Sequence, residues 1–280
     1  MIKRSTGLLV LEVRESNPNG DPDRESDPRQ RPDQRGEISP VSVKRKIRDL
    51  VFDKEGPVWQ EVSKGLKPEN FQILESRGRD RKEIEKLIET DLDKFKRTYW
   101  DGRLFGNTFL EEGKKVDSIR TGTVHFGVGL SIAPIEIERM TLTNKSGVQE
   151  GKDRGMAPMG FRVVKHGIYA VPFFVNPTAA VKSGCEEEDV DLLCRVLPFI
   201  YDHTKSMVRS MVGIVHAWVV EHKKPVGSFS DFQMIDALTP RVKPEVQTPG
   251  SLGDYIIPLW TDLPESLRFR AAGCRDLMGD

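Results

Sequence analysis

Two aspartates two residues apart, Asp21 and Asp23, stand in the stretch Asn17-Pro18-Asn19-Gly20-Asp21-Pro22-Asp23. Paired carboxylates hold magnesium or act as general acid and base, so this is the first place to look for chemistry. A calcium loop of the EF-hand kind is excluded. Counted from Asn17, its glycine position falls on Pro22 and its closing glutamate position on Pro28. A magnesium site would need a third acid, and the default reading of Asn-Pro-Asn-Gly-Asp-Pro is a turn. The five histidines, His125, His166, His203, His216 and His222, occur in no H-E-x-x-H, H-x-E or G-x-S-x-G context. His125 and His216 sit in apolar, strand-like stretches, where a satisfied core histidine is expected. His203 follows Asp202 with no nucleophile nearby in sequence. The three cysteines, Cys185, Cys194 and Cys274, form no C-x-x-C pair and read as free thiols in a reducing compartment. No enzymatic activity, catalytic residue, metal or cofactor is expected.

The basic residues carry more information. Lys plus Arg (43) equals Asp plus Glu (43), which argues against a generic coater of polyanions but leaves room for a local basic groove. Between Arg29 and Arg48 there are seven Lys or Arg against two acids. Lys44, Arg45 and Arg48 share one helical face, with part of Lys46, opposite Val43, Ile47, Leu50 and Val51. Such a cluster neutralises phosphates and fixes a backbone without reading bases. A solvated amphipathic helix is the plain alternative. The polar loop beside it and the lack of acids on that face favour RNA or DNA backbone binding.

These residues need elements to hold them. Thr6 to Arg14 (TGLLVLEVR) reads as a buried strand, Glu15 to Pro40 as a long loop, and Val41 to Phe52 as a helix with Ser39 as N-cap and Pro40 in its first turn. Residues 55–97 read as a mostly helical insertion with a solvated charge run. Tyr99 to Gly106 (YWDGRLFG) is a compact motif rather than a simple helix. Ser118 to Ser131 alternates as a strand, and Thr141 to His166 is irregular. Ile168 to Val175 is a strand, and Asp189 to Val208 a helix kinked at Pro198. Met211 to Glu221 is a strand, Asp231 to Leu238 a short helix, and a proline-rich tail follows from Pro240. With the insertions removed the order is βαββαβ, the ferredoxin-like arrangement of RNA-recognition domains (RRMs). The exposed aromatics of the base-stacking RRM signature are absent, so backbone and loop contacts are expected instead. At 280 residues the chain holds one large domain or two small ones. Met1 leads straight into the strand, so no signal peptide is expected. The longest apolar run, Met211 to Val220, is too short for a membrane span. A cytoplasmic protein follows.

The motifs NPNGDPD, SVKRKIRDLV, YWDGRLFG, ERMTLTN, VPFFVNP and MVGIVHAWVVEHKKPVG occur in this order. In that series the chain resembles the backbone subunit of type I CRISPR Cascade complexes, especially the type I-C and I-B branch. The resemblance spans most of residues 6 to 240. It departs at Arg120-Thr121-Gly122-Thr123-Val124-His125, where relatives read R-G-P-V-Q, and in GKDRGMAPMGFRVVKHG.

The resemblance implies an α+β fold, a single domain over 1–280. A modified RRM palm carries helical fingers at 55–97, a β-hairpin-like thumb at 136–170 and a C-terminal tail at 240–280. It implies a non-catalytic subunit that binds the CRISPR RNA (crRNA) guide, stacks with further copies of itself into a helical filament, and presents the guide to target DNA in antiviral defence. The large subunit, the crRNA-end subunit and a recruited helicase-nuclease are the implied partners. Carried over by position, Lys44, Arg45 and Arg48 contact guide phosphates, and Asn17, Asn19, Gly20 and Asp21 shape the adjoining loop. Asp101, Arg103, Phe105 and Gly106 hold the palm beside the RNA. Arg120, Thr121 and Gly122 form a strand end that approaches the backbone, and Met156, Met159 and Phe161 form the thumb wedge. The alternatives are a type III-like subunit that cuts RNA with Asp21 or Asp23, and a free-standing RNA-binding protein.

Overall fold

A computed structural model describes residues 2–76, 82, 86, 92–106, 121–144 and 157–279. Strand β1 (Ser5–Ser16) organises it. Leu8, Leu9, Val10, Leu11 and Val13 are all fully buried, so both faces of the strand are covered. That explains why its sequence is continuously apolar rather than alternating. β1 pairs antiparallel with β6 (Ala157–Val175) on one side and β7 (Val212–His222) on the other, with Leu9 opposite Val171 and Ala217.

The remaining strands are β2 (Arg35–Ile38), β3 (Val124–Phe126), β4 (Gly129–Pro134), β5 (Ile137–Asn144) and β10 (Ala271–Asp276). The main sheet runs β10-β7-β1-β6-β4-β2, with β3 and β5 also paired to β6. All these pairings are antiparallel, which makes a mixed α/β fold around a largely antiparallel sheet.

One face of the sheet is covered by α1 (Pro40–Phe52), α2 (Pro57–Val62) and a helix at Glu187–Val196. Leu9, Leu11 and Val13 pack there with Val43, Ile47, Val51, Leu192, Leu193 and Val196. Each such side chain contributes roughly 1.5–3 kcal/mol by leaving water. α1 starts where the sequence predicts: the Ser39 hydroxyl accepts from the Ser42 amide and Pro40 occupies the first turn. Four more helices complete the helical inventory used below. They are α3 (Leu92–Thr98), α4 (Trp100–Phe105), α5 (Pro177–Ser183) and, counting Glu187–Val196 as α6, α7 (Asp231–Leu238).

Leu8, Val10, Ile168, Trp218 and Val220 face the opposite way. They are sealed by Met234 and Leu238 of α7 and by Tyr255, Leu263 and Leu267 from the C-terminal segment. That segment also supplies the edge strand β10 and the small ladder of β8 (Arg241–Val242) with β9 (Tyr255–Ile256). The proline-rich C-terminal tail thus packs as a second layer on the sheet.

Other expectations shift in detail. The helix expected over Asp189 to Val208 ends at Val196 and passes into a 3-10 turn at Leu197–Phe199, because Pro198 offers no amide and opposes continuation. Of the strand expected over Ser118 to Ser131, residues 118–120 lie outside the described residues and the rest holds β3 and β4 with a break at Gly127-Val128. The irregular stretch Thr141 to His166 is strand at both described ends, in β5 and β6. Tyr99 to Gly106, expected not to be a simple helix, contains α4. No helix among the described residues is long and apolar enough to cross a membrane.

Candidate nucleic-acid interface

The opening loop is a tightly bonded turn clasped onto α1. The Asn17 amide donates to the Val208 carbonyl (2.7 Å), and its side-chain Nδ2 donates to the Ser26 carbonyl (2.7 Å). Asn19 Oδ1 accepts from the Ser39 amide (2.7 Å), so the loop binds the very residue that caps α1. A β-carbon on Gly20 would come within 2.8 Å of the Ser26 carbonyl oxygen, which accounts for glycine there. Asp21 Oδ1 accepts from the Asp23 amide (3.2 Å) and lies 4.0 Å from Arg29. This is a side chain closing its own turn, as Asx residues do. Asp23 is exposed. Glu25 and Ser26 follow with φ of 50° and 65°, and Asp27 pairs with Arg162 of β6. Arg139, Phe161 and Arg162 of the β5–β6 hairpin thus face Asn17, Ser26 and Asp27 across a cleft of about 320 Å³. Phe161 is half-buried and sits opposite Met140 in the ladder; Met159 lies opposite Leu142. Met156 and Arg120 lie outside the described residues.

On α1 the three expected cations have different surroundings. Lys44 is half-buried, with Nζ 5.3 Å from the centroid of the Phe105 ring. Burial lowers its pKa, and the nearby charge of Arg48 lowers it further. Arg45 pairs with Asp49 one turn on (2.6 Å). Arg48 is buried: its Nε donates to Asp101 (2.8 Å) and its Nη2 to Glu75 (2.9 Å), with its guanidinium 5.2 Å from the Phe105 centroid. The Arg48 fork is thus committed inside the fold. Burial raises the pKa of Glu75, and the Arg48 charge opposes that rise.

The mid-chain motif also turns inward. Asp101 is fully buried and accepts from the amides of Leu74 (2.6 Å) and Glu75 (3.1 Å) as well as from Arg48. Arg103 forms a two-pronged pair with Asp189 (2.9 and 2.6 Å) and donates to the carbonyls of Lys96, Arg97 and Asn70. Gly106 ends α4 at φ 76°, and Gly122 lies flat against the 104–106 backbone. Thr121 is exposed. His125, next along, has its pKa lowered by burial and then by Lys44.

The structure therefore brings the sequence-predicted residues into two groups. Asn17 and Phe161 line the cleft between the opening loop and the hairpin, and Asn19, Gly20 and Asp21 lie in the same loop. Lys44, Arg48, Asp101, Phe105, Gly106 and Gly122 meet under the middle of α1. Lys46, placed in part on the basic face by the sequence, is buried, with Nζ 5.2 Å from the Tyr201 ring centroid. The helical period held the clue, since Lys46 follows Val43 by three and precedes Leu50 by four.

The sequence model of the family described as CRISPR-associated protein Cas7 matches residues 3–259, beyond the position near 240 where the resemblance was expected to end. A protein of Haloferax volcanii, described as CRISPR-associated protein Cas7, is 24% identical over 215 residues. That stretch covers 69% of this chain and 62% of the relative, so the chain spans somewhat under two thirds of that protein's length. Among solved structures, a chain of a "CRISPR RNA-guided surveillance complex, pre-nicking" superposes with a TM-score of 0.53 at 12% identity, covering 88% of this chain and 84% of that one. A chain of another CRISPR RNA-guided surveillance complex gives a TM-score of 0.49 at 14% identity, covering 88% and 78%. The superposition at 0.53 shows a shared fold, and the family match runs through both groups of residues described above. The chain belongs to the CRISPR-associated protein Cas7 family.

Proposed function

We propose that this protein is a guide-RNA-binding backbone subunit of a CRISPR RNA-guided complex of type I, stacking with further copies of itself along a crRNA and doing no chemistry on it. The observation that carries the reading is the joint made by the Asn19–Ser39 hydrogen bond and the Asp27–Arg162 ion pair. Through it, α1 with its half-buried cations Lys44 and Arg45, the opening loop and the β5–β6 hairpin act as one surface. The strand order β7-β1-β6-β4, with α1 and α6 as crossovers, supports a ferredoxin-like palm. The hairpin then serves as the thumb within 136–170 and the stretch 55–97 as the fingers. The C-terminal layer covers Leu8, Val10 and Trp218 of the sheet, so bases do not stack on these positions. RNA is accordingly held by backbone contacts, with sequence read by pairing between guide and target.

Zero net charge suits this role. Copies joined head to tail raise one another's effective concentration, so each needs few phosphate contacts. Large and crRNA-end subunits, target DNA reached through the guide, and a recruited helicase-nuclease complete the proposed assembly, in the cytoplasm. The cutting role for Asp21 or Asp23 gains no support from a turn that Asp21 itself closes.

Two measurements test the reading. Expressed with a guide RNA, the protein elutes as a ribonucleoprotein holding several copies per RNA; a single copy per RNA would defeat the stacking model. The double variant Lys44→Ala, Arg45→Ala binds RNA more weakly and lowers the slope of log K against log salt by about 1–2. An unchanged slope would remove this face from the RNA.

A further inference from the structure

The C-terminal layer covers the face of the sheet opposite α1, and its outer side carries apolar side chains that the fold does not use. Val226 is 83% exposed, Phe232 of α7 78% and Phe269 67%. Two hydrogen-bonded clips hold these positions near one another. Arg4 donates both to the Val226 carbonyl (2.9 Å) and to the carboxylate of Asp231 (2.7 Å), the residue before Phe232. The Ser228 hydroxyl donates to the carbonyl of Arg270 (2.6 Å), the residue after Phe269. Between α7 and residues 264–270 lies a cavity of about 480 Å³. Ala237, Pro264 and Leu267 give it apolar walls, and the exposed Asp236, Arg241 and Arg270 line it with charge. Among the described residues neither Arg241 nor Arg270 has an ion-pair partner. Asp231 and Asp262 of the same layer are engaged elsewhere, by Arg4 and by the Leu259 amide.

A single exposed apolar side chain on a surface is ordinary. Three gathered beside an apolar-walled cavity with two unpaired guanidiniums are the parts of a binding hot spot, where aromatic side chains and arginine carry most of the energy. We propose that this surface docks an acidic amphipathic segment of a partner protein. One apolar side chain of the segment anchors in the cavity between α7 and residues 264–270, and its carboxylates meet Arg241 and Arg270. An arginine fork matches a carboxylate with two parallel hydrogen bonds, and the apolar anchor brings Val226, Phe232 and Phe269 out of water. The acids at the site favour a protein over a nucleic acid. Asp236 lines the cavity, and Glu265 stands next to Pro264 of its wall. A strand with a phosphate at every residue is repelled there. A peptide places its carboxylates at the arginines and offers a backbone amide to Asp236. The surface is separate from α1, the opening loop and the β5–β6 hairpin, so a chain holding RNA has it free.

The test pans a displayed library of random peptides on the full-length protein, with and without guide RNA, and measures the selected peptides by fluorescence anisotropy. Peptides rich in Asp and Glu with a Leu, Phe or Trp anchor are enriched, and their binding weakens as salt rises. Phe232→Ser with Phe269→Ser weakens the best of them at least about ten-fold. Arg241→Glu with Arg270→Glu does the same and selects basic peptides in place of acidic ones. All four positions are exposed, so both double variants keep the wild-type melting temperature and RNA affinity. Where a double variant fails to fold, Phe232→Ser and Arg270→Glu alone carry the same expectation. Enrichment of basic or uncharged peptides by the wild type, or of none, overturns the proposal. So does undiminished binding of the acidic peptides by either variant. Displacement of the peptide by a single-stranded RNA oligonucleotide gives the face to nucleic acid. Self-association of the wild type that the variants lose gives it to a second copy, and either result overturns the proposal. A protein that binds the acidic peptides but no RNA keeps this docking surface while the RNA-binding reading fails.

Discussion

Replacing Asp101 with alanine lowers the stability of the fold by about 3–5 kcal/mol, measured by urea unfolding. The carboxylate is fully buried and serves three donors: the Leu74 amide at 2.6 Å, the Glu75 amide at 3.1 Å and Arg48 Nε at 2.8 Å. Removing it leaves the buried guanidinium with Glu75 as its remaining counter-charge among the described residues and takes this acceptor from the Leu74 and Glu75 amides. Each orphaned donor alone costs about 1–3 kcal/mol. The penalties overlap, because water entering the cavity relieves several at once. The pair variant Arg48→Met, Asp101→Leu recovers much of the loss, since exchanging a buried ion pair for apolar groups is often close to neutral. An Asp101→Ala protein that unfolds at the wild-type urea midpoint would show that this network does not hold α1 to the mid-chain motif.

Gly122→Ala is expected to destabilise by about 1–3 kcal/mol or more. A β-carbon there would sit 2.3 Å from the Gly106 nitrogen, 2.3 Å from the Phe105 carbonyl carbon and 2.5 Å from the Leu104 carbonyl oxygen. All three are backbone atoms at the end of α4, so no rotamer change can make room. The end of the helix has to move, and with it the Phe105 ring against which Lys44 and Arg48 lie. The variant is therefore expected to weaken RNA binding along with stability. Gly213→Ala is the control: its β-carbon meets nothing within 4 Å, and its effect stays within about 0.5 kcal/mol. Equal melting temperatures for the two variants would contradict the close approach.

Both predictions concern residues whose type was conspicuous in the sequence and whose partners were not. By resemblance, Gly122 belongs to a strand end expected to approach the RNA backbone. The backbone that approaches is the chain's own, at 104–106. Arg48 reads as a member of the basic face of α1, yet a turn of helix is wide enough to point one cation outward and the next at Asp101. The choice depends on what packs against the helix. Arg103 and Asp189, 86 residues apart, are one buried pair that neither local charge pattern announces.

The packing of the C-terminal segment was not legible for a related reason. Its strands at 241–242 and 255–256 hold two residues each, too short for any period to show. It becomes a layer only because β1 and β7 present Leu8, Val10, Trp218 and Val220 for it to cover.

By itself the sequence determined the elements with strong local physics. These are the continuously apolar β1, the capped and proline-started α1, the turn closed by Asp21, and the concentration of cations after residue 29. Those features depend on neighbours one to four residues away, where periodicity and capping act. Only the tertiary structure decided which of those cations are free to meet an anion. Arg48 and Arg103 are neutralised by carboxylates brought in from far along the chain, whereas Lys46 is buried over the Tyr201 ring. The sign of a charge is written in the residue, but its partner and its burial depend on contacts that form only when distant segments pack.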